Sequence, residues 1–327
     1  MYQLSLNERC KEIEDIMKKT VLIVGVAGRF GRQCASAMRD AGWHVRGFAR
    51  TTEKANCIDG VEPYVGDIMD PTALGNAADG ADVIVQAANP PYQLWKTLLL
   101  EMNQAVIDVA INVGATVVVP QNVYIFGKKG GVWGEDAPHV GSNALARIRM
   151  TMEAAYKKAA IDHGLPILAF RMGDFIDGPD HRPSGNWFEN HITKAVTTGD
   201  FTYPGPMDRD HAWAYLPDAA RAIVDILNTP NAVVGHLDLN FPGWVLTGAS
   251  MKTAIEHAVG KPMKRKKMPW VPMNVIALWS APLRNVVSLR YLWNVPHRLG
   301  TDRFDRLLPN FEVTDPTEAF TNRWKTS

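Results

Sequence analysis

Apolar residues fall along the chain in short unbroken runs, separated by stretches in which they recur every three or four positions. Residues 20–25 (TVLIVG) are a run ending on glycine, the signature of a strand covered on both faces. Over 29–41, Phe30, Cys34, Ala37, Met38 and Ala41 recur at helical spacing, and Gly42 follows where a helix end is capped. The same alternation predicts strands at 44–49, 63–66, 82–88 and 166–172, and a fifth at 116–120 continued by 123–126. It predicts helices at about 94–113, 144–163 and 217–228, and a last strand at 236–240. Strand and helix alternating across short connections predict an α/β fold, a Rossmann-type doubly wound parallel sheet.

Past residue 178 the character changes: seven of the ten tryptophans lie beyond residue 180. The expected organisation is a dinucleotide-binding domain over 17–178, rejoined by 213–240. A smaller substrate lid forms from 179–212 and 241–327. Residues 1–16, rich in Glu and Lys and without the basic-then-apolar plan of a signal peptide, are expected to be an appended tail.

Composition narrows the partners. The 327 residues carry 35 Lys+Arg against 34 Asp+Glu, a net charge of +1, which gives no global attraction to nucleic acid or an anionic membrane. Neither is expected as a partner. No apolar run reaches the roughly 20 residues that span a bilayer. Cys10, Cys34 and Cys57 are an odd set without zinc-like spacing and read as reduced thiols of a cytoplasmic protein. No metal site is expected. The run Lys264-Arg265-Lys266-Lys267 reads as a solvated edge.

The chemistry concentrates after the first strand. Gly25, Gly28 and Gly31 stand between a predicted strand and a predicted helix. A diphosphate needs backbone N–H donors and no side chain in the way, which a glycine turn at a helix N-terminus supplies. The next strand ends Ala49-Arg50. A carboxylate there would hold the 2′-hydroxyl of NAD; Ala49 has none, and Arg50 can fork onto a 2′-phosphate. Arg29, inside the loop, could meet that phosphate from the other side. The expected cofactor is therefore NADP rather than NAD.

The chain resembles the extended, atypical branch of the short-chain dehydrogenase/reductase superfamily, the NAD-dependent epimerase/dehydratase family. The resemblance rests on the glycine spacing with Phe30 inside it, Gly66-Asp67-Ile68, Ala87-Ala88-Asn89, Phe170-Arg171 leading to Gly178-Pro179, and Tyr215-Leu216-Pro217-Asp218. It implies that Asp67 contacts the adenine amine, that Ala87 and Ala88 lie along the cofactor with Asn89 by the nicotinamide half, and that the C-terminal lid binds substrate. It also implies a possible homodimer through the helices at 94–113 and 144–163.

The family's catalytic pattern is broken here. Members use a Ser or Thr after the fifth strand and a Tyr-x-x-x-Lys helix. This chain places Asn122 at the Ser, Leu145 at the Tyr and Arg149 at the Lys. Arg149 could hold ribose or phosphate but cannot act as a base. Tyr124, two residues from Asn122 on the expected strand, would share its face. It could protonate a carbonyl oxygen held by Asn122; the alternative is a core or rim aromatic. His181, Trp187, Asp208, His211 and Trp213 fall in the lid, with His211 a possible proton donor and Trp187 and Trp213 candidate substrate contacts. These residues predict an NADP-dependent oxidoreductase or epimerase acting on a small, partly aromatic carbonyl or alcohol. The alternatives are a non-catalytic dinucleotide sensor and a sugar-nucleotide epimerase or dehydratase.

Overall fold

The chain is described by a computed structural model over residues 18–179, 188 and 194–325. The expected tail at 1–16 and the lid residues His181 and Trp187 lie outside the described residues. In chain order the strands are β1 (Thr20–Val24), β2 (His44–Ala49), β3 (Glu62–Val65), β4 (Val83–Gln86), β5 (Thr116–Gln121), β6 (Gly131–Trp133) and β7 (Ile167–Arg171). There follow β8 (Asp174–Ile176), β9 (Asp200–Tyr203), β10 (His211–Tyr215), β11 (His236–Asn240), β12 (Trp244–Leu246), β13 (Lys264–Lys267) and β14 (His297–Leu299).

Seven of these make one parallel sheet in the order β11-β7-β5-β4-β1-β2-β3. Side chains alternate along a strand, and here both faces are buried. Leu22 and Val24 join Ile84, Val117, Val119 and Ile167 in a core covered by the helices Pro71–Ala78, Leu100–Val113 and Ala144–His163. Val21 and Ile23 join Val83, Val85, Val118 and Leu168 in a second core under the helices Arg29–Asp40 and Leu216–Asn228. Burial on both faces is why the strands read as unbroken apolar runs. Strand order reverses between β1, which pairs with β2 on one side, and β4 on the other. Ligands of open α/β sheets bind at such a point, beyond the strands' carboxyl ends.

Two expected elements end differently. Residues 123–126 do not extend the fifth strand. Asn122 Oδ1 accepts from the Tyr124 amide at 3.0 Å, β5 stops at Gln121, and Tyr124–Phe126 form a 3-10 turn. A local side-chain bond to the backbone has displaced the ladder. The helix expected from 94 opens instead with a 3-10 turn, Tyr92–Leu94, and a wide π-turn, Trp95–Leu99, before the regular helix Leu100–Val113. Pro90 and Pro91 precede it, and the Pro90 carbonyl accepts from Trp95 Nε1 at 2.9 Å.

The C-terminal part has its own aromatic core, in which Ile176, Phe201, Tyr203, Trp213, Tyr215, Trp244 and Phe320 are buried. Its framework is the three-stranded sheet β12-β10-β8 and the pair β13-β9. Phe304 returns to the parallel sheet and packs against Phe170 and Phe241.

Candidate functional site

The glycine loop is shaped by close backbone contacts. Gly25 has φ +85°, and a Cβ on it would lie 2.7 Å from the Ala88 amide nitrogen. A Cβ on Gly31 would lie 2.4 Å from the Gly25 carbonyl oxygen, so the helix can start that near β1 only with glycine there. Gly28 caps the helix Arg29–Asp40 without a side-chain hydrogen bond, and its first turn carries no acidic residue. The first-turn amides are therefore left for an anion, and the helix dipole favours one. That cradle, with glycine at 25, 28 and 31, fits a diphosphate.

Around the cradle the expected residues divide. Asp67 is exposed, with Oδ1 accepting from the Met69 amide at 2.9 Å, and Ile68 is buried beneath it. Ala87 and Ala88 continue from β4 along the loop, half-buried. Ala88 donates to Oε1 of Gln86 at 3.2 Å, and Nε2 of that buried Gln86 has no partner. Arg50 is exposed at the end of β2. Arg29 turns the other way: Nε donates to both carboxylate oxygens of Asp177, at 2.7 and 2.9 Å, and Nη2 to the Phe175 carbonyl at 2.8 Å. Its partners lie beyond β7, and it ties the loop to the C-terminal part. Phe30 is buried and stacks on Phe175 with ring centroids 6.2 Å apart.

Farther along the groove stand two phenols and a guanidinium. The hydroxyls of Tyr92 and Tyr124 are 2.7 Å apart. Both rings pack on Trp95, Tyr92 edge-on at 4.9 Å and Tyr124 stacked at 6.4 Å. Trp95 also carries Arg149 over its face, 4.4 Å from the ring centre. Arg149 is buried, Nη2 donates to Asn89 Oδ1 at 3.2 Å, and Nε has no partner. No carboxylate pairs with it among the described residues. Burial pulls its pKa below the usual arginine range. Burial lifts the Tyr124 hydroxyl well above the ordinary phenol value, aided by Tyr92 and the charge of Asp174 and opposed by Arg149. Tyr92 is raised for the same first reason. Asn122 Oδ1 closes the turn that aims Tyr124, which leaves the Nδ2–H donors as the group a carbonyl oxygen would meet. Leu145 is buried in the helix Ala144–His163.

His211 sits on β10, buried, and its Nε2–H donates to Asp174 Oδ2 at 2.9 Å. Its ring lies flat on Trp293 at 4.2 Å and edge-on to His297 at 4.6 Å. Trp213 is enclosed in the C-terminal core, and Asp208 is exposed. Tyr92, Trp95, Gln86 and Asp174 escaped sequence reasoning. The available signal for Tyr92 and Trp95 was the Pro90-Pro91 turn just past Asn89, which sends the chain back across the strand ends.

A second buried cation has a different setting. Arg171 lies between Glu153, at 3.0 Å, and Asp238, at 3.1 Å, and donates to the Asn122 carbonyl at 2.8 Å. His139, Glu153 and Asp238 hold ligand-type atoms within 4.8 Å of one another. The positive charge both carboxylates face is the Arg171 guanidinium.

Residues 21–240 match the model of the NAD dependent epimerase/dehydratase family. The NAD-dependent glucose-6-phosphate dehydrogenase of Haloferax volcanii is 29% identical over 106 residues, 30% of this chain. The match spans only 40% of that relative's length. Among solved structures, UDP-glucuronic acid 4-epimerase from Bacillus cereus, in complex with UDP-glucuronic acid and NAD, superposes with a TM-score of 0.74 at 16% identity. That match covers 94% of this chain and 98% of the other. UDP-glucose 4-epimerase from Bifidobacterium longum, with NAD+ and UDP, gives 0.73 at 14% identity, covering 94% and 98%. WbmH from Bordetella bronchiseptica, with NAD+, gives 0.69 at 19%, covering 93% and 96%. At such identities the likeness is one of fold.

Proposed function

The chain belongs to the NAD dependent epimerase/dehydratase family, and on that premise we propose that it is a nicotinamide-dependent oxidoreductase that reduces a carbonyl through a Tyr92–Tyr124 proton donor. The observation that carries this reading is the 2.7 Å contact between the two hydroxyls beside a buried guanidinium that has no carboxylate partner among the described residues. The dinucleotide would rest on the Gly25–Gly31 loop, with Asp67 and Ile68 at the adenine and Ala87, Ala88 and Asn89 along the rest. When bound and reduced, it supplies a hydride to the carbonyl carbon.

Tyr124 donates its proton to the carbonyl oxygen, which becomes the alcohol hydroxyl. Either hydroxyl can donate in the 2.7 Å bond, so once Tyr124 has given up its proton Tyr92 turns its O–H onto the phenolate, and Arg149 lowers the energy of that anion. The work divides as it does between the family's Tyr and Lys, with the acid moved from the helix to the turn after β5. His211 holds Asp174, whose charge acts on both phenols.

The phosphorylated cofactor is preferred. Ala49 offers no acceptor to a 2′-hydroxyl, and exposed Arg50 is placed for a 2′-phosphate. Arg29 is spent on Asp177, so the preference rests on Arg50. A hydrogen bond to a charged group is worth about 1.5–3 kcal/mol, and Arg50→Ala is expected to lower the NADPH/NADH affinity ratio at least about tenfold.

The test is to follow NADPH oxidation against a panel of ketones, aldehydes, enones and UDP-sugars. Turnover of a carbonyl supports the reading. A second reading, a dinucleotide sensor, is favoured by Leu145, which offers no proton where the family has Tyr. Tight NADPH binding with no turnover across the panel would decide for it.

A further inference from the structure

The near-neutral charge of the whole chain hides a one-sided segment. From residue 257 to 301 there is no Asp or Glu, while Lys261, Lys264, Arg265, Lys266, Lys267, Arg284, Arg290 and Arg298 are all basic. β13 (Lys264–Lys267) pairs with β9 alone, leaving its other edge open, and all four of its side chains are exposed. Lys266 has Asp200 at 3.7 Å. Lys261, Lys264, Arg265 and Lys267 have no ion pair among the described residues.

Directly after this strand come two short helices, Trp270–Ile276 and Ala281–Ser288, neither of which buries a single residue. Between and along them Trp279 is 80% exposed, Val271 77% and Leu278 66%, with Val275 and Ile276 also exposed. This is the largest concentration of exposed apolar side chains among the described residues, and it follows the basic strand directly along the chain. The segment is held firmly. Trp270 Nε1 donates to the Pro204 carbonyl at 2.7 Å, and Arg290 lies over the Trp270 ring at 4.9 Å. Arg284 donates to the carbonyls of Ala277 and Leu278 at 3.2 and 3.0 Å, fixing the turn that presents Leu278 and Trp279. A tip braced in this way keeps its apolar side chains in water at a standing cost, which marks a contact surface.

We propose that this face docks the protein on an anionic phospholipid surface, with Leu278, Trp279, Val271 and Val275 entering the headgroup boundary and the basic strand meeting lipid phosphates. A helix crossing the bilayer is not required, and no described helix is long and apolar enough to cross one. A second copy of the chain fits worse, because a two-fold interface would set the basic strand against itself. Nucleic acid would use the cations but not the apolar tip.

The position of the face has a consequence for the site. The helix Ala281–Ser288 packs against the Tyr92–Leu94 turn, so the docked face borders the groove that holds the Tyr92–Tyr124 pair. The substrate is then a carbonyl compound dissolved in the membrane. This half of the inference rests on the oxidoreductase reading.

The test is co-sedimentation with vesicles of phosphatidylcholine alone and of phosphatidylcholine mixed with phosphatidylglycerol, with light scattering on the vesicle-free protein. The full chain is expected to bind the mixed vesicles, and added salt to weaken binding. Leu278→Glu/Trp279→Glu is expected to bind more than about tenfold more weakly. Lys264→Ser/Arg265→Ser/Lys267→Ser is expected to lose about a hundredfold. Both should unfold at the wild-type temperature. No binding to mixed vesicles at low salt, or binding indifferent to both variants, overturns the proposal. So does a stable dimer that Trp279→Glu dissolves. Turnover of soluble carbonyls without vesicle binding would remove the docking and leave the chemistry. Vesicle binding without turnover of any carbonyl would do the reverse.

Discussion

Two buried arginines lie on neighbouring elements, and removing each should give opposite results. Arg171 is 1% exposed and faces Glu153 and Asp238. Burial alone would lower its pKa, but the two carboxylates outweigh that and raise it. Arg171→Met leaves both carboxylates without their cation, a change that costs about 3–5 kcal/mol when one partner of a buried pair is removed. Arg149 has no carboxylate paired with it among the described residues, and burial lowers its pKa. Arg149→Met gives up the bond to Asn89, about 1.5–3 kcal/mol, and the contact with the Trp95 face, about 2 kcal/mol. It regains the desolvation cost of a buried ion, several kcal/mol, so the net change should stay within about 2 kcal/mol. Urea unfolding followed by fluorescence measures both. With a slope near 3 kcal/mol per molar, Arg171→Met shifts the midpoint down by about 1 M or more, and Arg149→Met moves it little. NADPH turnover, in contrast, should collapse in Arg149→Met. Equal destabilisation by the two variants, or a larger loss at Arg149, would refute the argument that Arg149 is kept for chemistry.

Other outcomes follow from single contacts. Gly31→Ala places a Cβ 2.4 Å from the Gly25 carbonyl oxygen, so calorimetric affinity for NADPH is expected to fall at least about tenfold. His297 donates Nδ1–H to the Val295 carbonyl at 2.8 Å, and burial pulls its pKa from 6.5 to about 3. The folded chain then binds fewer protons than the unfolded chain between those values. The stability is complete above pH 6.5 and falls as pH drops toward 3, by about 2 kcal/mol at pH 5, from 1.5 pH units at about 1.36 kcal/mol each. His297→Phe should flatten that slope in urea titrations at pH 7 and pH 5, and an unchanged slope would assign the loss elsewhere.

The sheet was legible because its central strands β1, β4, β5 and β7 are buried on both faces. The strands expected at 44–49 and 236–240 and the helix at 144–163 coincide with β2, β11 and Ala144–His163. The cradle was legible because three glycines spaced between an apolar strand and a helix show in the sequence, although the contact that demands Gly25 comes from distant Ala88. The wall that carries Tyr92 and Tyr124 was not, since it depends on turns that periodicity cannot see. Asn122 ends β5 with one side-chain bond, and that turn, not strand alternation, aims Tyr124. Tyr92 arrives through a proline-led 3-10 turn. Arg29 reads as a phosphate ligand until Asp177, 148 residues away, is seen to hold it. The basic run at 264–267 reads as a solvated edge until its apolar neighbours are seen to stand in solvent beside it.

Carbonyl reduction here turns on Tyr124 as the proton donor, with Tyr92 behind it. The direct measurement is kcat for carbonyl reduction by wild type, Tyr124→Phe and Tyr92→Phe, alongside the NADPH dissociation constant of each. Loss of a positioned acid costs about 10²–10⁴-fold in rate. The expected result is a loss of that size in Tyr124→Phe, a smaller loss in Tyr92→Phe, and the same NADPH affinity in all three. Turnover untouched in Tyr124→Phe would contradict the account.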